Sequence, residues 1–314
     1  MNQLQPIYIN VIDPINPAIE RVKTILFRPF DLKKWFVIGF CAWLSLLESG
    51  GGGGRVDYRY QRHVGDVQQA LNEAKVFVLD NLYWIIPLAV LSVVVGIIFW
   101  LVLTWLSSRG RFMFLHCVAQ NKAEVKIPWA KFRQHADSLF VFRIVLCLIG
   151  FFAVLLPILL IIGCIIMIAT GDGLSVLGIL GLVIIALVII TVAIILALIS
   201  KFTTDFVVPI MFLRTTSCRA AWREFMQILS VNKGRFVLYI LFQLVIGIAI
   251  GAIIITGACL TCFCACCFLA IPYIGTVLVL PLLIFKRAYS LYYLRQYGPE
   301  FDVFVTGAEM TVTG

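Results

Sequence analysis

Apolar residues are distributed along this chain in long runs, and the polar positions gather between them. Between Arg143 and Lys201 the single ionisable side chain is Asp172, so that stretch predicts two consecutive membrane spans joined by a tight turn at Gly171-Asp-Gly. Applied throughout, the pattern predicts six spans, at about 35–47, 83–106, 139–169, 175–200, 236–259 and 268–289. The first is thirteen residues long where about 20 are needed to cross a bilayer, so a re-entrant segment is its alternative. Pro157 predicts a kink or tilt in the third.

Shorter segments carry a helical stripe instead. In 220–231, Ala221, Phe225, Ile228 and Leu229 recur at spacings of three and four, with Arg223, Glu224 and Gln227 between them. Such a helix is expected to lie along the membrane surface, its apolar side in lipid or against neighbouring helices. Residues 18–27 and 129–136 precede the first and third spans in the same way. Spans two, four and six run on into similar extensions, at Arg111, Asp205 and Arg287. The expected fold is therefore all-α: a polytopic membrane protein of three units, each a surface helix plus a helical hairpin. The units fall at about 17–121, 122–215 and 216–297, together forming one domain, with a short tail over 298–314. The five glycines at 50–54 read as a linker, followed by a short helix within 50–82 outside the bilayer.

Composition agrees: 62% of the 314 residues are hydrophobic, 13% are charged, and mean hydropathy is +1.03. The first 34 residues are mostly polar, so no cleavable signal is expected. Charge then orients the chain. With six spans, 21 of the 25 Lys and Arg fall on the side of the N-terminus, and four lie in the loop after the glycine run. Basic segments stay in the cytoplasm, which puts both termini there. This bias accounts for the net charge of +9 and makes anionic headgroups the expected partners. No stacking-aromatic or helix-turn-helix pattern supports nucleic acid.

The motifs RPFDLKKWFVIGFCAWL, VVPIMFLRTTSCRAAWREFMQIL and LPLLIFKRAYSLYYLRQYG resemble those of bacterial six-helix integral membrane proteins of uncharacterised function. These are similar in pattern to the membrane domain fused to some glycerophosphodiester phosphodiesterases. The resemblance spans about 18–297 and implies a bacterial inner-membrane location. It implies a lipid-linked role by association alone.

Several constellations bear on chemistry. Arg111, Asp205 and Arg287 occupy matched points of the three extensions, and a carboxylate near hydrocarbon needs a partner. They are expected to pair as a clamp or to bind an anionic headgroup. Cys259, Cys262, Cys264, Cys266 and Cys267 cluster before the sixth span without His, Asp or Glu, and single-residue spacings suit zinc poorly. Packing is their first reading, a disulfide the second and metal or redox work the third. His116 and His135 lack a spaced partner, so no metal site and no cofactor are expected. Gly247 and Gly251 form a small-residue face for helix packing, within the chain or between copies. The function expected is non-enzymatic, a scaffold or lipid-interacting accessory protein that binds anionic lipid or a protein partner. A permease for a small or lipidic substrate is the alternative, and an intramembrane enzyme the third.

Overall fold

A computed structural model describes residues 9–47, 80–170, 176–261, 269 and 271–304. Among the described residues all regular structure is helical. The helices are α1 (Ile15–Leu26), α2 (Leu32–Leu46), α3 (Leu82–Gln120), α4 (Lys126–Lys131), α5 (Arg133–Thr170) and α6 (Val176–Phe202). A π-helical turn, Thr203–Val207, leads into α7 (Val208–Arg214), followed by α8 (Cys218–Val231), α9 (Lys233–Leu260), α10 (Pro272–Leu278) and α11 (Leu280–Arg295). The glycine linker, the helix after it, the turn at 171–173 and four of the clustered cysteines lie outside the described residues.

Among the described residues, four segments are long and apolar enough to cross a membrane: Leu82–Gln120, Arg133–Gly163, Leu180–Arg214 and Lys233–Leu260. They coincide with the expected spans two to five and make this a multi-pass membrane protein. The segments expected as spans one and six are shorter. With 15 residues, α2 rises about 22 Å, less than the ~30 Å of hydrocarbon. The last apolar run is divided at Val279 into the seven-residue α10 and the 16-residue α11. The break follows from Pro281, which has no N–H and would clash with the preceding turn. The short helices pack on each other, Tyr273 of α10 lying against the rings of Phe36, Phe40 and Trp43. By contrast, α5 continues through Pro157.

The second expected surface helix also takes a different form. Only Lys126–Lys131 makes a separate helix, and residues 133–136 already belong to α5. Phe132 makes the corner because its ring is buried, stacked on Phe212 at 4.8 Å and Phe112 at 5.9 Å. In α8 the anticipated stripe turns toward protein: Ala221 and Phe225 are fully buried, and Ile228 and Leu229 pack against the core.

That core occupies one end of the molecule. It combines the last turns of α3, the π turn and α7, and most of α11, with Ile25 and Leu26 of α1 and Ile38 and Ala42 of α2. The apolar windows of α3 and of the α6–α7 segment are unburied, as expected of surface that meets lipid. The segment around Asn10 and Val11 joins this core through α11 and Gln296. Tyr289 Oη donates to Val11 O at 2.8 Å, and Gln296 exchanges hydrogen bonds with Asn10. Arg21 of α1 donates to the terminal carbonyls of α3, Val118 O and Ala119 O, which have no helical donor of their own. Burial pushes the Arg21 guanidinium below its ordinary pKa.

A close helix contact involves Gly110 of α3, where an added Cβ would lie 2.5 Å from backbone atoms of Leu44 and Ser45. Gly247 and Gly251 have open space at that position, so their small-residue face is unused within the described residues. Gly110→Ala should cost about 1–3 kcal/mol through overpacking. Gly247→Ala should be neutral or stabilising by up to ~1 kcal/mol through helix propensity. Thermal unfolding of the two purified variants checks both; equal melting temperatures would remove the close α2–α3 approach.

Candidate functional site

The site begins with Pro209. Proline offers no N–H, and its ring crowds the carbonyl one turn back, so an α-helix cannot pass through undisturbed. Here the chain widens to a π turn, in which the Val208 N–H reaches back to Thr203 O. Thr204 O then has neither an α donor, since Val208 is engaged elsewhere, nor a π donor, since Pro209 has none. Arg287 of α11 fills the place, its Nη1 donating to Thr204 O at 2.5 Å. Arg111 of α3 donates from Nη1 to the hydroxyl of the same threonine at 2.7 Å. Thr204 Oγ1 in turn donates to Ser200 O. One residue therefore holds two guanidinium groups from two other helices.

Asp205 is turned to different partners. Lys201, one turn earlier on the same helix, pairs with its Oδ2 at 2.6 Å, and Tyr239 Oη donates to the same oxygen at 3.0 Å. Gln243 donates from Nε2 to Tyr239 Oη at 3.0 Å and accepts from Lys201 Nζ at 3.3 Å. Lys201, Asp205, Tyr239 and Gln243 thus close a ring between α6, the π turn and α9. The structure brings Arg111, Asp205 and Arg287 to one place, each over 90% buried, but without the expected carboxylate–guanidinium contact. The reason is local: the i,i+4 lysine reaches the carboxylate first, and the π turn presents Thr204 to the arginines.

These groups line a cavity of about 440 Å³. Arg111, Lys201, Lys286 and Arg287 contribute positive charge there, against the single carboxylate of Asp205. Leu46, Phe114, Ala197 and Leu283 supply apolar wall. Arg287 is incompletely used. With Nη1 on Thr204, its Nε and Nη2 are buried and find no acceptor among the described residues. Those two nitrogens form one edge of the guanidinium, the edge that grips two oxygens of a carboxylate or phosphate in parallel.

The other candidates fall elsewhere. Cys259 is a free, exposed thiol, and Cys262, Cys264, Cys266 and Cys267 lie outside the described residues. Among the described residues no group of three His, Cys, Asp or Glu can hold a metal. Burial pushes the Cys218 thiol up to about 12, which suits packing rather than reaction. His116 and His135 both lie beside the ring of Phe132. Arg109, absent from the sequence candidates, is buried between Trp105 and Trp129 and reaches Asp137 at 3.4 Å.

Sequence reasoning missed Lys201, Thr204, Tyr239, Gln243 and Lys286. For three of them the signal is polar spacing alone: Lys201 stands four residues before Asp205, and Tyr239 and Gln243 are an i,i+4 polar pair inside an apolar run. For Thr204 the signal is its place five residues before Pro209, read through the π turn. Lys286 has only its adjacency to Arg287.

In comparison with known proteins, a family model described as "Family of unknown function (DUF7544)" matches residues 9–283. No curated protein and no solved structure matches the chain significantly.

The ring predicts a coupling that a pair of arginines would not. Asp205→Asn should destabilise the protein by about 1–3 kcal/mol. Lys201→Gln should add little once the carboxylate is gone, whereas Arg111→Gln should add its own loss. Melting temperatures of the single and double variants read this, and full additivity of the Lys201 and Asp205 changes would remove the ring.

Proposed function

We propose that this chain, which belongs to the family of unknown function DUF7544, is a non-enzymatic integral membrane protein that engages anionic lipid at its cytoplasmic face. A scaffold or accessory role follows, in which a bound headgroup or a protein partner is held by the basic end of the helical core. The observation that carries the reading is the cavity in which four cations face one carboxylate beside apolar wall. Buried charge of one sign is costly in a low-dielectric setting, and an anionic headgroup is the compensation a membrane offers. The likeness to membrane domains fused to phosphodiesterases is an association in the same direction.

The proposed topology has six spans and both termini in the cytoplasm, with α2 and the α10–α11 segment as short crossings supported by each other. The reading as three repeated units belongs to the same proposal. A second reading, a permease, is favoured by one observation: Lys201, Asp205, Tyr239 and Gln243 form a polar ring inside segments apolar enough to span a membrane. Transport paths use such intramembrane polar groups.

Two measurements test the proposal. Arg287→Gln should reduce retention of anionic lipid about tenfold, the loss of roughly one charge-assisted bidentate contact. Native mass spectrometry along a delipidation series reads it, and unchanged retention in Arg287→Gln and Arg111→Gln would sink the lipid reading. In a background without native cysteines, Arg55→Cys should react with an impermeant maleimide on intact cells. Reaction only after permeabilisation would mean that α2 does not cross.

A further inference from the structure

A second cleft lies along α5 and α6. It runs from Arg143 through Leu146, Gly150 and Val154 to Ile158 on α5, with Leu196 and Ser200 opposite on α6, an open groove of about 530 Å³. The helices are antiparallel, so its ends differ in character. At one end Arg143 is buried and donates to Ser107 and Ser108 of α3, beside Ser200. Toward Ile158 the lining is wholly apolar. From Arg143 to Ile158 the helix rises about 22 Å, more than the ~15 Å of one hydrocarbon leaflet.

Ser200 lines this cleft and also the cationic cavity. The polar end of an acyl-sized cleft therefore opens beside the charged groups on Thr204. Their charge is specific in amount. Lys201 is spent on Asp205, leaving Arg111, Lys286 and Arg287 around the cavity without a carboxylate of their own. The Nε/Nη2 edge of Arg287 is buried and has no acceptor among the described residues. A phosphodiester presents one charge and two unbridged oxygens, whereas a phosphomonoester presents up to two charges and three. The second fits better a site where two guanidinium groups converge and a lysine stands by.

We propose that the cavity and the cleft are the two halves of one site for a phosphomonoester lipid. The phosphate sits on Arg111, Arg287 and Lys286, and an acyl chain lies between α5 and α6. This rests on the anionic-lipid reading above and adds headgroup class and chain path to it. Gly150 offers a way to block the path, because a Cβ there would already meet Leu196 Cδ1 at 2.9 Å. Gly150→Leu fills the cleft without touching the phosphate groups, and Val154→Trp does so from a second position if the first variant folds poorly.

The test uses the full-length protein in nanodiscs doped with phosphatidic acid, phosphatidylglycerol or phosphatidylcholine, with inorganic phosphate as a separate arm read by protection against heat. Phosphatidic acid should be retained about tenfold better than phosphatidylglycerol, as expected for one more charge near partly buried cations. Either cleft variant should lower its retention about fivefold while leaving phosphate protection unchanged. Equal retention of the two anionic lipids, or indifference to both cleft variants, overturns the proposal while the broader anionic-lipid reading survives. Protection by phosphate without retention of phosphatidic acid overturns it in favour of a soluble anion. If neither Arg287→Gln nor Arg111→Gln alters any arm, both readings fall together.

Discussion

A missing backbone hydrogen is the constraint from which the charged centre follows. Pro209 cannot donate, the helix relaxes into a π turn, and Thr204 O is left for a side chain to satisfy. Because a buried carbonyl without a donor is costly, the position recruits a strong donor from another helix. Arg287 is that donor, and its own burial then requires further compensation. Arg111 arrives on the hydroxyl of the same threonine. Three helical segments distant in sequence are thereby fixed at one point, inside a region otherwise held by apolar contact. Such contact discriminates poorly between helices in lipid, whereas hydrogen bonds specify which segments meet.

Around this point the molecule separates two tasks. One end is a packed protein core, rich in stacked aromatics such as Phe206 on Phe225, into which both the N-terminal helix and α11 are bound. Beyond it, long apolar helices extend with their side chains unburied, α5 against α6. Cohesion therefore comes mainly from the core, and the arms depend on lipid for their environment. An arrangement of this kind places charged groups where the protein core gives way to unburied apolar helix.

The electrostatics of the centre divide in the same manner. Asp205 is closed off by Lys201 and Tyr239 and contributes rigidity through a ring of hydrogen bonds. The arginines are anchored by neutral oxygens, which satisfy geometry without cancelling charge. The site is positive whichever cation takes the carboxylate; the observed pairing uses Lys201 and leaves both guanidinium groups without a carboxylate contact.

The sequence by itself determined a good deal: an all-helical membrane protein, the four long apolar helices, and the notice due to Arg111, Asp205 and Arg287. Hydrophobic periodicity and run length report directly on burial in lipid, and a charge in an apolar run is conspicuous whatever its partner. The tertiary structure decided the rest. It divided the last apolar run at Val279, turned the stripe of α8 toward protein, and merged half of the second surface helix into α5 around the buried ring of Phe132. It also gave Asp205 to Lys201 and the arginines to Thr204. Those outcomes depend on which side chain arrives first at a shared acceptor and on how a proline redistributes backbone donors. Both are matters of distance between segments far apart in the chain, which spacing along the sequence does not measure.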